Sequence, residues 1–310
     1  MIEVEGLRKE YGELVAVDAV SFIVPAGAVF GLLGPNGAGK TTAIGCISGL
    51  LAPTAGCIRV LGHDVALDGR AARAALGIVP QELALYEEVS AAENLAYWGA
   101  AYGLGGAELK RRTAAALEIV GLLDRAREPV KKYSGGMKRR LNFACGIVHA
   151  PRVLLLDEPT VGVDPQSRVR LLELVRAQAK AGTCVLYTTH YMEEAESLCD
   201  RIAIIDHGRI IALGTLAELR AMLGERDLLR LSGVFDPPAA TVEALRRIEG
   251  VEVVHAAADL VMLSVAGASR KLPALFAALG AAGAEVRETT LTQPSLESLF
   301  IKLTGKDLRE

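Results

Sequence analysis

Short apolar segments separated by amphipathic stretches dominate the first two thirds of the chain. AVFGLL at 28–33, VLLLD at 153–157, TCVLYTTH at 183–190 and RIAIIDHG at 201–208 are short and mostly apolar, which is typical of strands buried on both faces of a parallel sheet. The amphipathic segment RLLELVRAQAKAG lies between VLLLD and TCVLYTTH. This alternation predicts a doubly wound α/β core with a mostly parallel sheet flanked by helices.

Other stretches depart from this alternation and predict subdomains. The chain begins with the pattern strand, turn, strand, which predicts an N-terminal antiparallel β subdomain. A helix is expected at 40–51, ending before Pro53, because the residue preceding proline resists the helical conformation. ALGIVPQ at 75–81 predicts a further short strand. From about 83–150 the spacing of apolar residues is almost wholly helical, which predicts an inserted helical subdomain.

The pattern changes again after MLGERDLL, near 222–228. The segments VEVVHAA and LVMLSV predict strands, and TVEALRRIEG and RKLPALFAALGAAG predict helices, within about eighty residues. We therefore predict a main domain over residues 1–222, followed by a small α+β domain over residues 223–310.

A glycine-rich stretch, GPNGAGKTT, joins the buried strand AVFGLL to the next predicted helix. It satisfies the P-loop pattern G-x-x-x-x-G-K-[ST], whose backbone N–H groups and helix dipole favour phosphate. Lys40 is expected to neutralise the β- and γ-phosphates, and the Thr41 hydroxyl to complete a Mg²⁺ shell. The predicted nucleotide-binding residues are Gly34, Pro35, Asn36, Gly37, Ala38, Gly39, Lys40, Thr41 and Thr42.

Polar side chains lie where the predicted parallel strands end, at the edge of the sheet that opens onto the ligand crevice. Asp157 ends VLLLD, and the next residue, Glu158, is expected to point elsewhere because side chains alternate along an extended chain. We expect Asp157 to bind metal and Glu158 to activate water. His190 ends TCVLYTTH and is expected to contact the γ-phosphate. Gln81 is either a site residue or a solvated strand end, and the Tyr11 ring either stacks on adenine or packs.

A second glycine-rich turn, YSGGM at 133–137, begins another predicted helix. Ser134 has the form of an N-cap, and an ordinary helix start, with Lys138, Arg139 and Arg140 on the solvated side, accounts for it. However, two glycines in a first turn weaken a helix by about 1 kcal/mol each relative to alanine. This cost favours a role for bare backbone N–H groups that approach an anion closely.

The segment YSGGMKRRLNFACGIVHAPRVLLLDEPTVGVDP, with GPNGAGKTT, resembles the ATP-binding cassette (ABC) family over residues 1 to about 222. The resemblance implies a head-to-tail dimer that binds ATP and Mg²⁺. The sequence leaves open pairing with itself or with a related chain, and the complete motifs favour a homodimer. In such a dimer Ser134, Gly135 and Gly136 of one copy close on the ATP held by the P-loop of the other. Asp164 would make a contact across the dimer.

The resemblance also implies roles for residues outside the glycine turns. Tyr11 corresponds to the adenine-stacking residue, Glu158 to the water-activating glutamate and His190 to the γ-phosphate histidine. Gln81 corresponds to the residue that links the site to the membrane partner, and it is a candidate catalytic residue and, with Thr41 and Asp157, a candidate Mg²⁺ ligand.

Softer patterns point to a subfamily. SGGMKRRL, YEEVSAAENLAYWGAAYGL and TQPSLESLFIKLTG are similar to ATPase subunits of ABC-2 type exporters of the daunorubicin-resistance kind. This similarity implies separate membrane-spanning permease subunits and a regulatory or dimer-supporting C-terminal domain. Met137 stands where the family usually has glutamine, so a side-chain hydrogen bond from this position is not expected.

Composition limits the alternatives. The net charge of −3 and the pI near 6.0 provide no general positive field for nucleic acid. Five cysteines without a C-x-x-C pair argue against a disulfide framework or a zinc site. No apolar stretch reaches the roughly 20 residues that span a bilayer, and acidic residues occupy the N-terminus where a signal peptide would be apolar. We expect a cytoplasmic protein held at the inner face of the membrane by its partner.

Two other functional classes are compatible with a P-loop. A soluble cassette ATPase that acts on DNA or ribosomes would carry fused cassettes, coiled coils, or basic or zinc-binding insertions, and the sequence has none of these patterns. A P-loop GTPase or kinase is disfavoured by the second glycine turn.

Overall fold

The computed structural model describes residues 1–222, 226–292 and 295–305, which fall into two compact units, Met1–Leu213 and Gly214–Glu310. The observed division precedes the predicted boundary at 222 because the short helix Leu216–Ala221 packs against the helix Leu296–Thr304 of the second unit. Residues 223–225 of the predicted boundary region lie outside the described residues.

The first unit combines two sheets with helices. Its strands are β1 (Ile2–Tyr11), β2 (Leu14–Val24), β3 (Val29–Leu33), β4 (Ala55–Val60), β5 (His63–Asp64), β6 (Leu76–Val79), β7 (Val153–Asp157), β8 (Cys184–Thr189), β9 (Arg201–Asp206) and β10 (Arg209–Gly214). Its α-helices are α1 (Lys40–Ile47), α2 (Gly69–Ala74), α3 (Ala91–Ala101), α4 (Gly106–Ile119), α5 (Gly135–Ile147), α6 (Pro165–Lys180) and α7 (Met192–Leu198).

The larger sheet has the order β10-β9-β3-β8-β7-β6, and the neighbours from β9 to β6 run parallel. The smaller sheet, β2-β1-β4-β5, is antiparallel. The predicted parallel core, antiparallel β subdomain and inserted helices are therefore confirmed. Strand order matters for the site because β3, β8 and β7 are adjacent and their carboxyl ends meet at one edge.

Helix α1 is shorter than predicted, and glycine rather than proline ends it. The last turn closes at Gly49, which has φ 71° and donates to the Cys46 carbonyl, while the Leu50 N–H donates to the Gly45 carbonyl. These contacts form the left-handed C-cap that satisfies the final helical carbonyls before Pro53 is reached.

Helix α5 lies very close to the edge strand β6. A Cβ built on Gly77 would lie 2.2 Å from the Gly146 carbonyl oxygen, so a larger residue at 77 does not fit this spacing. The close approach fixes the helix that follows the second glycine turn against the parallel sheet.

The second unit is a four-stranded antiparallel sheet with helices. Its elements are α8 (Leu216–Ala221), β11 (Arg226–Val234), α9 (Pro238–Arg246), β12 (Val251–Ala256), β13 (Leu260–Ala266), α10 (Ala268–Ala281), β14 (Glu285–Thr292) and α11 (Leu296–Thr304). The strand order of the sheet is β12-β13-β11-β14, and a core that includes Leu229, Leu263 and Leu275 covers one face of it.

The segment TQPSLESLFIKLTG contains helix α11 and its N-cap. Within TQPSLESLFIKLTG, Ser295 caps α11, whereas residues 293–294 lie outside the described residues. Among the helices that the structure describes, none has both the length and the apolar character needed to cross a membrane.

Candidate functional site

The first glycine loop closes over a buried lysine. Lys40 Nζ donates to the carbonyl oxygens of Gly34 at 2.7 Å and Pro35 at 2.8 Å. Gly39 begins α1 with φ 104°, and a Cβ there would lie 2.4 Å from the Ala16 carbonyl oxygen, so both backbone angle and space require glycine. The first turn of α1 and the Lys40 ammonium therefore lie side by side at this loop.

One buried carboxylate joins the loop to two neighbouring strand ends. Glu158 is 5% exposed; its Oε1 lies 2.9 Å from Lys40 Nζ, and its Oε2 lies 3.0 Å from His190 Nδ1. The sheet order brings these three residues together because they follow β7, β3 and β8. Lys40 and His190 thus provide the partners that a buried carboxylate needs.

Asp157 and Glu158 have different partners, as the sequence predicted, but for another reason. Glu158 has φ 43°, so the chain is not extended at this residue and simple alternation does not apply. Thr188 sets the turn: its hydroxyl donates to Asp157 Oδ1 at 2.6 Å and accepts from the Glu158 backbone N–H at 3.0 Å.

The donors near Asp157 fit a magnesium ion. Carboxylate and hydroxyl oxygens are hard ligands, and Mg²⁺ usually takes one or two protein groups together with phosphates and water. Asp157 is buried at the end of β7, and α1, which carries Thr41 and Thr42, packs on that strand. No cluster of three His, Cys, Asp or Glu side chains suited to a metal occurs among residues 1–222, 226–292 and 295–305.

Two predicted site residues lie away from the Lys40, Glu158 and His190 contacts. Tyr11 ends β1 and is 45% exposed, with the Lys9 ammonium 5.0 Å from its ring centroid. Gln81 does not end a strand, because β6 stops at Val79; it lies in the following loop, where its carbonyl accepts from Arg139 at 2.5 Å.

The second glycine turn begins α5 as predicted, but its two glycines differ. The Ser134 hydroxyl accepts from the Met137 N–H, which makes it the N-cap, and Gly135 is exposed with open space where a Cβ would lie. A Cβ on Gly136 would lie 2.1 Å from Ser167 Oγ and 3.4 Å from Asp164 Oδ2. Gly136 therefore has a packing role within the chain that the sequence interpretation did not include.

The beginning of α6 lies beside this turn. Asp164 caps α6, with Oδ1 accepting from the Ser167 N–H at 2.9 Å. This hydrogen bond to the charged form holds the pKa of Asp164 below its ordinary value.

The basic residues of α5 are not simply solvated, as the interpretation of the turn as an ordinary helix start had placed them. Lys138 pairs with Glu87 at 2.6 Å, Arg139 donates to the carbonyls of Gln81 and Val161, and Arg140 donates to the carbonyl of Val120. Burial lowers the pKa of Arg139 and of Arg140 from the usual arginine value. These side chains fasten α5 to the loops around it.

Some residues that shape the site were not singled out from the sequence. Thr188 carried a usable signal, because it is a polar residue inside the otherwise apolar strand TCVLYTTH. The contact of Ser167 with Gly136 and the hydrogen bonds of Arg139 to the Gln81 and Val161 carbonyls carried none, since these partners are distant in sequence and local spacing does not predict them.

Two family models match separate ranges of the chain. The family model described as "ABC transporter" matches residues 17–161. A second, described as "ATP-binding protein DrrA1-3-like, C-terminal domain", matches residues 214–304. The first range contains the P-loop, the second glycine turn and Glu158, whereas the second range lies within the C-terminal unit.

Similarity to individual proteins extends over the whole chain. The chain is 43% identical to the linearmycin resistance ATP-binding protein LnrL of Bacillus subtilis, covering 100% of both. It is 42% identical to the daunorubicin/doxorubicin resistance ATP-binding protein DrrA of Streptomyces peucetius, over 98% of this chain and 92% of that protein. It also matches the dimeric ABC transporter cassette MJ0796 with TM-score 0.63 and 25% identity, over 70% of this chain and 99% of that one.

The different surroundings of Gly135 and Gly136 generate a stability prediction. Gly136→Ala should lower the free energy of unfolding by about 1–3 kcal/mol, because the added methyl overpacks the contact with Ser167. Gly135→Ala, the matched control, should be neutral or up to about 1 kcal/mol stabilising, since space is open and alanine favours helix. Urea unfolding followed by the fluorescence of Trp98, the single tryptophan, measures both.

A double-mutant cycle with Ser167→Gly isolates this contact. Removing the Ser167 side chain should make Gly136→Ala less damaging than it is in the original background. Equal effects of alanine at 135 and 136, or additivity in the cycle, would contradict the packing role of Gly136.

Proposed function

The chain belongs to the ATP-binding cassette family of transporter ATPases, and on that premise we propose that it is the ATP-binding and ATP-hydrolysing subunit of an ABC-2 type exporter. The observation that carries the proposal is the buried contact of Lys40 and His190 with the two oxygens of Glu158. The exporter class is supported by full-length similarity to antibiotic-resistance ATP-binding proteins and by the DrrA-like C-terminal match. The names of these relatives give no support to an ATPase that acts on DNA or ribosomes, the alternative raised by the sequence.

In the proposed mechanism, Lys40 changes partner when ATP binds. The Lys40 ammonium leaves Glu158 Oε1 and pairs with the β- and γ-phosphates, which are also bound by the backbone N–H groups of the glycine loop. Glu158 Oε1 is then released to accept a proton from the attacking water, while His190 continues to orient the carboxylate through Oε2. We also propose that His190 contacts the γ-phosphate.

Mg²⁺ is the proposed metal cofactor. Thr41 and Asp157 would hold it, with Gln81 as a further candidate ligand, and its chemistry there would be to neutralise charge on the phosphates. Thr188 fixes one oxygen of Asp157 by a 2.6 Å hydrogen bond and so limits the directions in which that carboxylate can bind.

We propose that the second glycine turn binds the ATP held by a second copy in a head-to-tail homodimer. The exposure of Ser134 and Gly135 at the N-terminus of α5 supports this role, because free N–H groups and the helix dipole there favour phosphate. The neighbouring Asp164 would contact the other copy. The dimeric state of the similar MJ0796 cassette is consistent with such an arrangement.

An exposed apolar patch around the start of α3 is the proposed docking surface for the permease. Tyr86 and Tyr97 are about half exposed and meet edge to face at 5.0 Å, and Leu83 and Val89 lie exposed on the same loop. Trp98 Nε1 donates to the Ala84 carbonyl at 3.1 Å and holds this loop against α3. Docking here would place the subunit on the inner face of the membrane.

The assignment of Glu158 as general base predicts a variant that binds ATP without hydrolysing it. Glu158→Gln should lower ATP turnover by at least about 100-fold, because the amide cannot accept the proton from water. ATP affinity should persist, and size-exclusion chromatography with ATP should show an accumulated dimer. Glu173→Gln, at an exposed acid of α6, is the matched control; normal turnover in Glu158→Gln would remove Glu158 from this role.

The proposed action of the second glycine turn in trans gives a separate prediction. In the Glu158→Gln background, Ser134→Arg should abolish the ATP-dependent dimer while leaving the ATP affinity of dilute monomer within about twofold, because bulk and charge block only the partner's phosphate. Ser134→Ala removes the N-cap without adding bulk and serves as the control. A collapse of monomer affinity in Ser134→Arg would mean that the turn serves its own nucleotide.

The docking surface predicts a variant impaired only in assembly. Tyr97→Glu should reduce co-purification with co-expressed permease subunits by about tenfold or more, because it places a charge in an apolar contact. ATP hydrolysis by the isolated subunit should not change. Leu67→Glu, at a leucine that is 89% exposed on another loop, is the control, and equal losses in both variants would argue against a specific surface at α3.

A further inference from the structure

Behind the proposed hydrolytic residues lies a second buried carboxylate, Glu194 of α7. Its side chain is 2% exposed and accepts three hydroxyl hydrogen bonds. Thr160 donates to Oε1 at 2.7 Å, whereas Tyr187 and Thr189 donate to Oε2 at 2.8 Å each. A carboxylate can only accept hydrogen bonds, so all three hydroxyls are oriented toward it.

Two of these hydroxyls belong to the segments that carry the proposed hydrolytic residues. Thr160 lies two residues after Glu158, and Thr189 immediately precedes His190. The Thr189 hydroxyl also accepts from the Tyr191 N–H at 2.9 Å, which fixes the chain on the other side of His190. Glu194 therefore ties together the two backbone segments whose side chains meet at 3.0 Å.

A cation connects the same carboxylate to α6. Arg168 Nε lies 3.5 Å from Glu194 Oε1, and its guanidinium carbon lies 4.5 Å from the ring centroid of Tyr191. Arg168 is in the first turns of the helix capped by Asp164, the residue expected to contact the second copy. Glu194 thus touches three segments that converge on the site from different elements.

We infer that Glu194 is a positioning residue for ATP hydrolysis. It fixes the loop that carries Glu158 and the segment that carries His190 relative to each other, and it connects both to α6 through Arg168. The inference rests on the proposed roles of Glu158 and His190. Its physical basis is that a displacement of about 1 Å at a reacting group can cost about 100-fold in rate. Glu194 reaches the reacting groups only through the hydroxyls of Thr160 and Thr189.

Matched variants separate positioning from general stability. Thr160→Val and Thr189→Val each remove one hydroxyl that links a catalytic segment to Glu194. Tyr187→Phe removes a hydroxyl bound to the same carboxylate, but Tyr187 lies within β8 and flanks neither hydrolytic residue. All three should lower Tm, because each leaves the carboxylate short of a donor.

Of these three hydroxyl variants, only the two threonine variants should impair catalysis. We expect kcat for ATP to fall by about tenfold or more in Thr160→Val and Thr189→Val, with KM within about twofold, because the reacting groups move while nucleotide contacts remain. Thr160→Ser and Thr189→Ser keep the hydroxyl and should restore kcat. Tyr187→Phe should keep kcat within about twofold, and Glu194→Gln should lose at least as much as the weaker threonine variant.

Several outcomes would overturn the positioning role. These are unchanged kcat in both threonine variants, failure of the serine variants to restore kcat, or an equal loss of kcat in Tyr187→Phe. The hydroxyl variants keep the test decisive if Glu194→Gln does not fold. Active Glu158→Gln would instead refute the proposed hydrolytic role itself, whereas inactive Glu158→Gln with normal threonine variants would refute only the role of Glu194.

Discussion

The contact of Glu158 with both Lys40 and His190 is the constraint on which the arrangement of the site depends. A carboxylate that is 5% exposed would be costly without compensation, and these two side chains supply it at 2.9 and 3.0 Å. The three residues come from three segments that are neighbours only because β8 lies between β3 and β7. The strand order of the parallel sheet therefore determines which strand ends meet, and so which side chains can act together in the site.

Much of the fold and of the candidate site could be predicted from the sequence, because the patterns that indicate them lie within short segments. The strands that end at Asp157 and immediately before His190 are marked by apolar runs followed by polar residues, and the P-loop and the Ser134 N-cap have local patterns. What could not be predicted depends on tertiary proximity. The contact of Gly136 with Ser167, the bonds of Arg139 to distant carbonyls and the packing of α8 that shifts the domain boundary have no signature in local spacing.

The basic residues of α5 show how the same positions serve a structural purpose beyond helix formation. Lys138 and Arg139 connect the helix that begins at the second glycine turn to the loop that contains Gln81 and Glu87. That loop continues into the exposed tyrosines of the proposed permease surface. Contacts of Lys138 and Arg139 thus join the loop of the proposed docking surface to the helix that begins at the proposed dimer surface.

Packing alone does not require a buried carboxylate at the position of Glu194. An apolar side chain of similar volume would avoid the desolvation of a buried carboxylate, and such replacements are often neutral or stabilising in other proteins. An apolar group would not, however, direct hydroxyls from two separate segments toward one point. Since those segments carry Glu158 and His190, the value of the charge lies in fixing their relative position, and the cost of burying it is offset by three hydroxyl donors and the nearby Arg168.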